Sequence, residues 1–118
     1  MPIIHADGQL LSRAVGNLLS NAIKYSKRDG AVRVTTTVGQ ASATVAVADN
    51  GCGISEADLA VLFQKYHRSA TAERIEGTGL GLYIVSKIAE AHGGRVTARS
   101  ELGVGSIFTL EMPLVADA

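Results

Sequence analysis

Asn17, Asn21, Lys24 and Tyr25 are the residues of this chain whose types and spacing point most directly to chemistry. At about 100° per residue, the two asparagines and the lysine fall within a narrow wedge of one helix, with Tyr25 at its edge. Leu11, Val15, Leu18, Leu19, Ala22 and Ile23 lie on the other side. A solvated helix face favours Glu, Lys, Gln and Arg, because Asn competes with the backbone for hydrogen bonds and is a poor interior helix former. Two amides one turn apart, beside an ammonium and a phenol ring, therefore suggest a ligand. The amides offer oxygen to a hard cation, the lysine meets a phosphate, and the ring lies against a flat base.

Three glycine-rich stretches accompany this helix. Gly77, Gly79 and Gly81 stand at the mouth of a predicted helix, where free backbone N–H groups attract anions. Neither GxGxxG nor the Gly-Lys-[Ser/Thr] of a P-loop is present, so a hinge of tight turns explains the cluster as well as a phosphate cradle does. Asp49-Asn50-Gly51-Cys52-Gly53 sits where a strand ends. Its carboxylate can accept a hydrogen bond from an exocyclic amine, or it is a polar turn that caps itself. Gly103-Val104-Gly105-Ser106 reads first as a hairpin turn. Lys65, His67, Arg68 and Arg74 form a polar stretch, either solvated or reaching a phosphate. His5, His67 and His92 share no metal-ligand spacing, and His92 fits a helix stop where an imidazolium is favourable. Cys52 reads as a small packing residue.

The elements that must position these groups follow from periodicity. Asp7 is an N-cap for a helix over 8–26, which Lys27-Arg28-Asp29-Gly30 breaks. Strands are predicted over 31–38 and 43–48, joined by a turn at 39–42. Ser55 opens a short helix with Asp58 three residues on, carrying Leu59, Leu62 and Phe63. From Gln64 to Glu76 periodicity is lost. A helix then runs to Ala91 with Leu80, Ile84, Ile88 and Ala91 on one stripe, stopped by His92-Gly93-Gly94. Strands at 95–99 and 106–112 flank a turn, and Pro113 closes the last one. This order predicts one α+β domain over 1–118, a two-layer sandwich with helices on one face of a mixed, mostly antiparallel sheet.

Composition narrows the function classes. With 47% hydrophobic and 19% charged residues, the 118-residue chain can build one core, and with no Trp and 4% aromatics that core must be aliphatic. A formal net charge of zero argues against a broadly basic nucleic-acid surface. A single cysteine excludes an internal disulfide and fits a reducing compartment. No apolar run approaches the roughly 20 residues of a membrane span, and the start lacks the pattern of a signal peptide.

Taken in order, the motifs resemble the catalytic, ATP-binding domain of sensor histidine kinases, within the superfamily of gyrase B, Hsp90, histidine kinases and MutL. Asn17–Tyr25 looks like the N box, Asp49–Ile54 the first glycine box, Leu62–Arg68 the F box, Gly77–Leu82 the second glycine box, and Gly103–Ser106 the short third. The resemblance covers about Asp7 to Pro113 and implies a Bergerat-type ATP-binding fold. It implies that Asn21 ligates Mg²⁺ with Asn17 nearby, that Lys24 approaches the phosphates, and that Tyr25 covers the adenine. Asp49 would bind the adenine amino group, with Gly51, Gly53 and Ile54 shaping the pocket. Gly77, Thr78, Gly79, Leu80, Gly81 and Leu82 would supply the phosphate wall. The stretch from Gln64 to Glu76 would be the ATP lid, with Arg68 reaching the γ-phosphate. Tyr66 and His67 depart from the Phe and following aromatic usual there.

The implied activity is transfer of the γ-phosphoryl group to a histidine on a separate dimerisation hairpin, with a response regulator downstream. His5 is followed by Ala6 rather than an acidic residue, so it does not match the phosphoacceptor. The chain thus reads as a cytoplasmic module of a longer bacterial sensor, with a membrane anchor for that sensor left as an open option. The full protein would be a homodimer and the isolated domain a monomer that autophosphorylates poorly. A nucleotide-binding regulatory module without turnover is the alternative. A gyrase- or MutL-type ATPase fits less well, because Ser12, Arg13 and Gly16 offer no carboxylate near Asn17.

Overall fold

The computed structural model describes residues 4, 6–26, 29–64 and 81–114. Helix α1 (Gly8–Tyr25) starts where the sequence requires. The Asp7 carboxylate accepts from the amides of Gln9 (3.0 Å) and Leu10 (3.1 Å), satisfying two N–H groups that the first turn leaves open. Ala14, Leu18 and Ala22 are fully buried at intervals of four residues, with Leu11, Val15 and Leu19 packed around them. Ile23, expected on this apolar side, is exposed. It follows Leu18 by five residues, a turn of about 140° from the buried stripe.

Four strands follow: β1 (Val32–Val38), β2 (Ser42–Asp49), β3 (Arg95–Glu101) and β4 (Gly105–Pro113). They form one sheet in the order β1-β2-β4-β3. All three pairings are antiparallel, so the parallel component of the expected mixed sheet does not occur among the described residues. Ser106, Phe108, Leu110 and Met112 are buried alternately along β4, which fixes register because a slip by one residue would turn them all to solvent. Val47 on β2 sits opposite Phe108 in the same layer. Helices α1 and α3 (Gly81–Ala91) cover this face.

Between the two halves, Ser55 caps the short α2 (Glu56–Leu59) by accepting from the Asp58 amide at 3.2 Å. Leu62 is buried just beyond it, and Phe63 meets Phe108 edge to face at 6.3 Å between ring centres. In α3 the buried residues are Val85, Ile88 and Ala89, with Leu82 and Ile84 partly buried. The expected stripe therefore shifts around the helix, and Ala91 is exposed. Leu80 lies outside the described residues. The stop at His92-Gly93-Gly94 is a Schellman motif: Gly93 has φ +74°, and the amides of Gly93 and Gly94 bond the carbonyls of Glu90 (3.0 Å) and Ala89 (2.8 Å).

Two glycines make opposite stability predictions. Gly53 has φ +73°, and a Cβ there would overlap the Glu101 carbonyl oxygen, so Gly53→Ala should cost about 2 kcal/mol or more. Gly16 is helical with nothing within 4 Å of its missing Cβ, so Gly16→Ala should stabilise by about 0.5–1 kcal/mol. Chemical denaturation of the two variants beside the native chain measures both signs.

Candidate functional site

The Asn wedge of α1 lies beside the buried stripe. Asn17 and Asn21 are half-buried while Lys24 is exposed, so the two amides border the packed layer and the ammonium stands at its margin. Asn17 Nδ2 donates to the Gly81 carbonyl at 3.3 Å, joining the middle of α1 to the first residue of α3. The amides are thereby brought to the N-terminal end of a helix, where unpaired N–H groups favour an anion. No atom of the described residues lies within 4 Å of a Cβ built on Gly81. Packing among the described residues does not demand a glycine there.

A second wall is built on the last residue of β2. Asp49 Oδ1 accepts from the Gly51 amide at 2.9 Å, and the Ser106 amide across the β2–β4 ladder is its second donor. Burial pushes the Asp49 carboxyl above its ordinary value of 3.8, and the two amides pull it back in part. A carboxylate has about four acceptor positions, and these amides use two. Next to it, Asn50 Oδ1 accepts from the Ala31 amide at 2.9 Å and ties the loop to the start of β1.

The loop after Asp49 is held at backbone contact. The Cys52 amide donates to the Tyr25 carbonyl (3.3 Å), and the Cys52 carbonyl accepts from the Gly103 amide (2.8 Å). A Cβ on Gly51 would overlap the Tyr25 carbonyl, and one on Gly105 would overlap that of Asp49. These glycines, like Gly53, are needed by the fold itself. The Gly103–Ser106 segment is the hairpin turn the sequence suggested, and it also braces the loop. Ser100 Oγ accepts from the Ile54 amide (2.7 Å), donates to the Gly105 carbonyl (2.9 Å), and lies 2.7 Å from Ser106 Oγ.

The structure thus joins Asn17 to Gly81, and Tyr25 to Gly51 and the loop after Asp49, with Asn21 and Lys24 on the same helix and Gly53 and Ile54 held against β3 and its turn. Ile54 and Leu82 contribute by packing against the core. Arg68, Gly77, Thr78, Gly79 and Leu80, and all but the first residue of the expected lid, lie outside the described residues. Cys52 is a half-buried free thiol, in keeping with a packing role. Sequence reasoning missed Asn50, Ser100 and Ser106 as supports of Asp49 and its loop. An Asx residue after the strand's last carboxylate and serines facing each other across a hairpin are the signals that were there. No cluster of three His, Cys, Asp or Glu side chains suited to a metal occurs among the described residues. The Asn17 and Asn21 amides would fit a hard cation, since they offer neutral oxygens of the kind Mg²⁺ accepts together with phosphate and water. No helix of the described residues is long and apolar enough to cross a membrane.

Comparison with known proteins agrees with this geometry. Residues 6–116 match the family described as histidine kinase-, DNA gyrase B-, and HSP90-like ATPase. The chain is 40% identical over 113 residues to the histidine protein kinase DivJ of Caulobacter vibrioides, covering 95% of this chain and 19% of that protein. It is 38% identical over 114 residues to the sensor histidine kinase ZraS of Escherichia coli, covering 97% of this chain and 24% of that protein. The chain therefore spans less than a quarter of either relative. Among solved structures it resembles the mycobacterial sensor histidine kinase MprB, with a TM-score of 0.88, 30% identity, and 98% and 80% of the two chains covered. It also resembles full-length ShkA in complex with AMPPNP, with a TM-score of 0.84, 34% identity, and 100% and 24% covered. The chain belongs to the histidine kinase-, DNA gyrase B- and HSP90-like ATPase family, with the Bergerat-type fold of histidine kinase catalytic domains.

Proposed function

We propose that this chain is the ATP-binding catalytic domain of a two-component sensor histidine kinase. It binds Mg²⁺-ATP and passes the γ-phosphoryl group to a histidine on a separate dimerisation domain. The observation that carries this reading is the Asp49 carboxylate, half-withdrawn from water at a strand end and aligned by the Gly51 and Ser106 amides. An acceptor fixed in this way suits the exocyclic amine of adenine, and Tyr25 at the end of the neighbouring helix suits its ring. Asn17 gives its N–H to Gly81, so its oxygen is the atom it offers a cation; Asn21, one turn on, offers a second. Lys24 and the start of α3 supply positive potential for the phosphates; Gly77, Thr78, Gly79, Leu80 and Arg68 are assigned to the same role by their motifs alone.

Phosphoryl transfer asks mainly for positioning and charge neutralisation, which a set of amides, backbone N–H groups and a lysine provides. Bound Mg²⁺ would supply the remaining neutralisation of the β- and γ-phosphate oxygens. ADP leaves as the γ-phosphoryl group joins an imidazole nitrogen of the acceptor. The proton of that imidazole is taken by a group beside the acceptor, outside this chain. The partners are accordingly the dimerisation hairpin and, through it, a response regulator. The parent protein would be a homodimeric bacterial sensor with this domain in the cytoplasm.

Isothermal titration with Mg²⁺ and a non-hydrolysable ATP analogue should show binding that Asp49→Asn weakens at least about tenfold, the scale of losing a charge-assisted hydrogen bond. Binding unchanged by Asp49→Asn would refute the assignment of Asp49. With the cognate hairpin added in trans and γ-labelled ATP, label should appear on histidine. Tight binding without transfer would favour a regulatory module.

Asp49 also makes a pH prediction for the nucleotide-free protein. Its carboxyl holds a proton more tightly folded than unfolded, so its contribution to stability is present below 3.8 and is lost as pH rises through the raised value. Thermal melts should therefore show the native chain gaining on Asp49→Asn as pH falls towards 3.8. A difference independent of pH would contradict the desolvation of this group.

A further inference from the structure

His92 joins the two helices at the end remote from the nucleotide walls. It is the C-cap of α3, and its ring bridges two backbone groups. Nδ1 lies 2.7 Å from the Ile88 carbonyl, and Nε2 accepts from the Asp7 amide at 2.9 Å. A backbone N–H can only donate and a carbonyl can only accept, so the ring is neutral with its proton on Nδ1. This corrects the imidazolium expected at a helix end. The Asp7 residue so held is the N-cap of α1.

The same two helices are fastened once more, by Asn17 Nδ2 on the Gly81 carbonyl. Asp7 and His92 pair at one end, Asn17 and Gly81 at the other, so α1 and α3 run antiparallel. Roughly 15 Å of helix separates the clasps at about 1.5 Å per residue. Between them lie the buried apolar side chains of Ala14, Val85 and Ala89, whose contacts resist separation but are not directional. The polar clasps are what fix how far one helix slides or tilts along the other.

Resting on the nucleotide-binding reading above, we propose that His92 is a positioning residue for the phosphate half of the site. By fixing the far ends of α1 and α3 it sets the separation between the Asn17–Asn21 wall and the Gly81 wall. The Asp49 loop is anchored independently, to the end of α1 and to the β3–β4 turn, so the adenine half does not depend on His92.

That asymmetry provides the test. His92→Leu, folded by circular dichroism, should bind an ATP analogue with Mg²⁺ about fivefold more weakly, the scale of one hydrogen bond, and bind adenosine as the native chain does. General loosening would weaken both ligands alike and would overturn the proposal, as would unchanged affinity for the analogue. His92→Gln keeps an acceptor for the Asp7 amide and should restore most of the affinity. If the leucine variant does not fold, His92→Asn, too short to span both partners, takes its place with the same expectations. Nitrogen-15 spectra of the native ring should show the Nδ1–H tautomer; an Nε2–H ring overturns the clasp. Should the native chain bind no nucleotide, the functional reading fails, while the ring spectrum still decides whether the clasp exists.

Discussion

Backbone lies directly on backbone where the 49–53 loop passes between the end of α1 and the β3–β4 turn. Side chains larger than hydrogen at Gly51, Gly53 or Gly105 would overlap the carbonyls of Tyr25, Glu101 and Asp49. This tight layering sets where the strand-end carboxylate sits, because Gly51 and Ser106, its two donors, belong to the segments pressed together. It also ties the last turn of α1, with Lys24 and Tyr25, to the same point through the Cys52 amide. Desolvation of Asp49 follows from the layering, and with it the cost that a nucleotide amine would offset by hydrogen bonding.

The second half of the site depends on a different kind of contact. Helices α1 and α3 share one buried layer, to which the small side chains of Ala14 and Ala89 belong. Polar groups at the margin of that contact, Asn17 at one end and His92 at the other, convert a slippery apolar seam into a defined one. On the proposed reading, a carboxylate end built on the sheet would be joined to a phosphate end where the two helices meet.

Much of this was legible in the sequence, and the failures have physical causes. Caps and turns are local, so Asp7, Ser55 and Gly93-Gly94 delimited the helices closely. The last strand, predicted over 106–112, matches β4 within one residue at each end, because a turn and Pro113 bound it locally. The wedge of Asn17, Asn21 and Lys24 was visible because Asn is costly inside a helix. Ile23 and the α3 stripe were misplaced because an apolar side chain reveals nothing of where the sheet ends beneath it. The glycines of the 49–53 loop had two readings in sequence. Only the approach of Tyr25 and Glu101, distant in the chain, shows that folding alone demands them. His92 looked like a charged helix end until the Asp7 amide, 85 positions away, proved to be its partner.

If one carboxylate, two asparagine amides and the start of α3 form a single nucleotide site, they respond to one ligand together. Amide chemical-shift mapping during titration with Mg²⁺ and a non-hydrolysable ATP analogue tests it most directly. The Gly51 and Ser106 backbone amides, the Asn17 and Asn21 side-chain amides and the Gly81 amide should move together along one binding curve. Shifts that leave these groups still, or that separate the Asp49 set from the α1–α3 set into two curves, would contradict it.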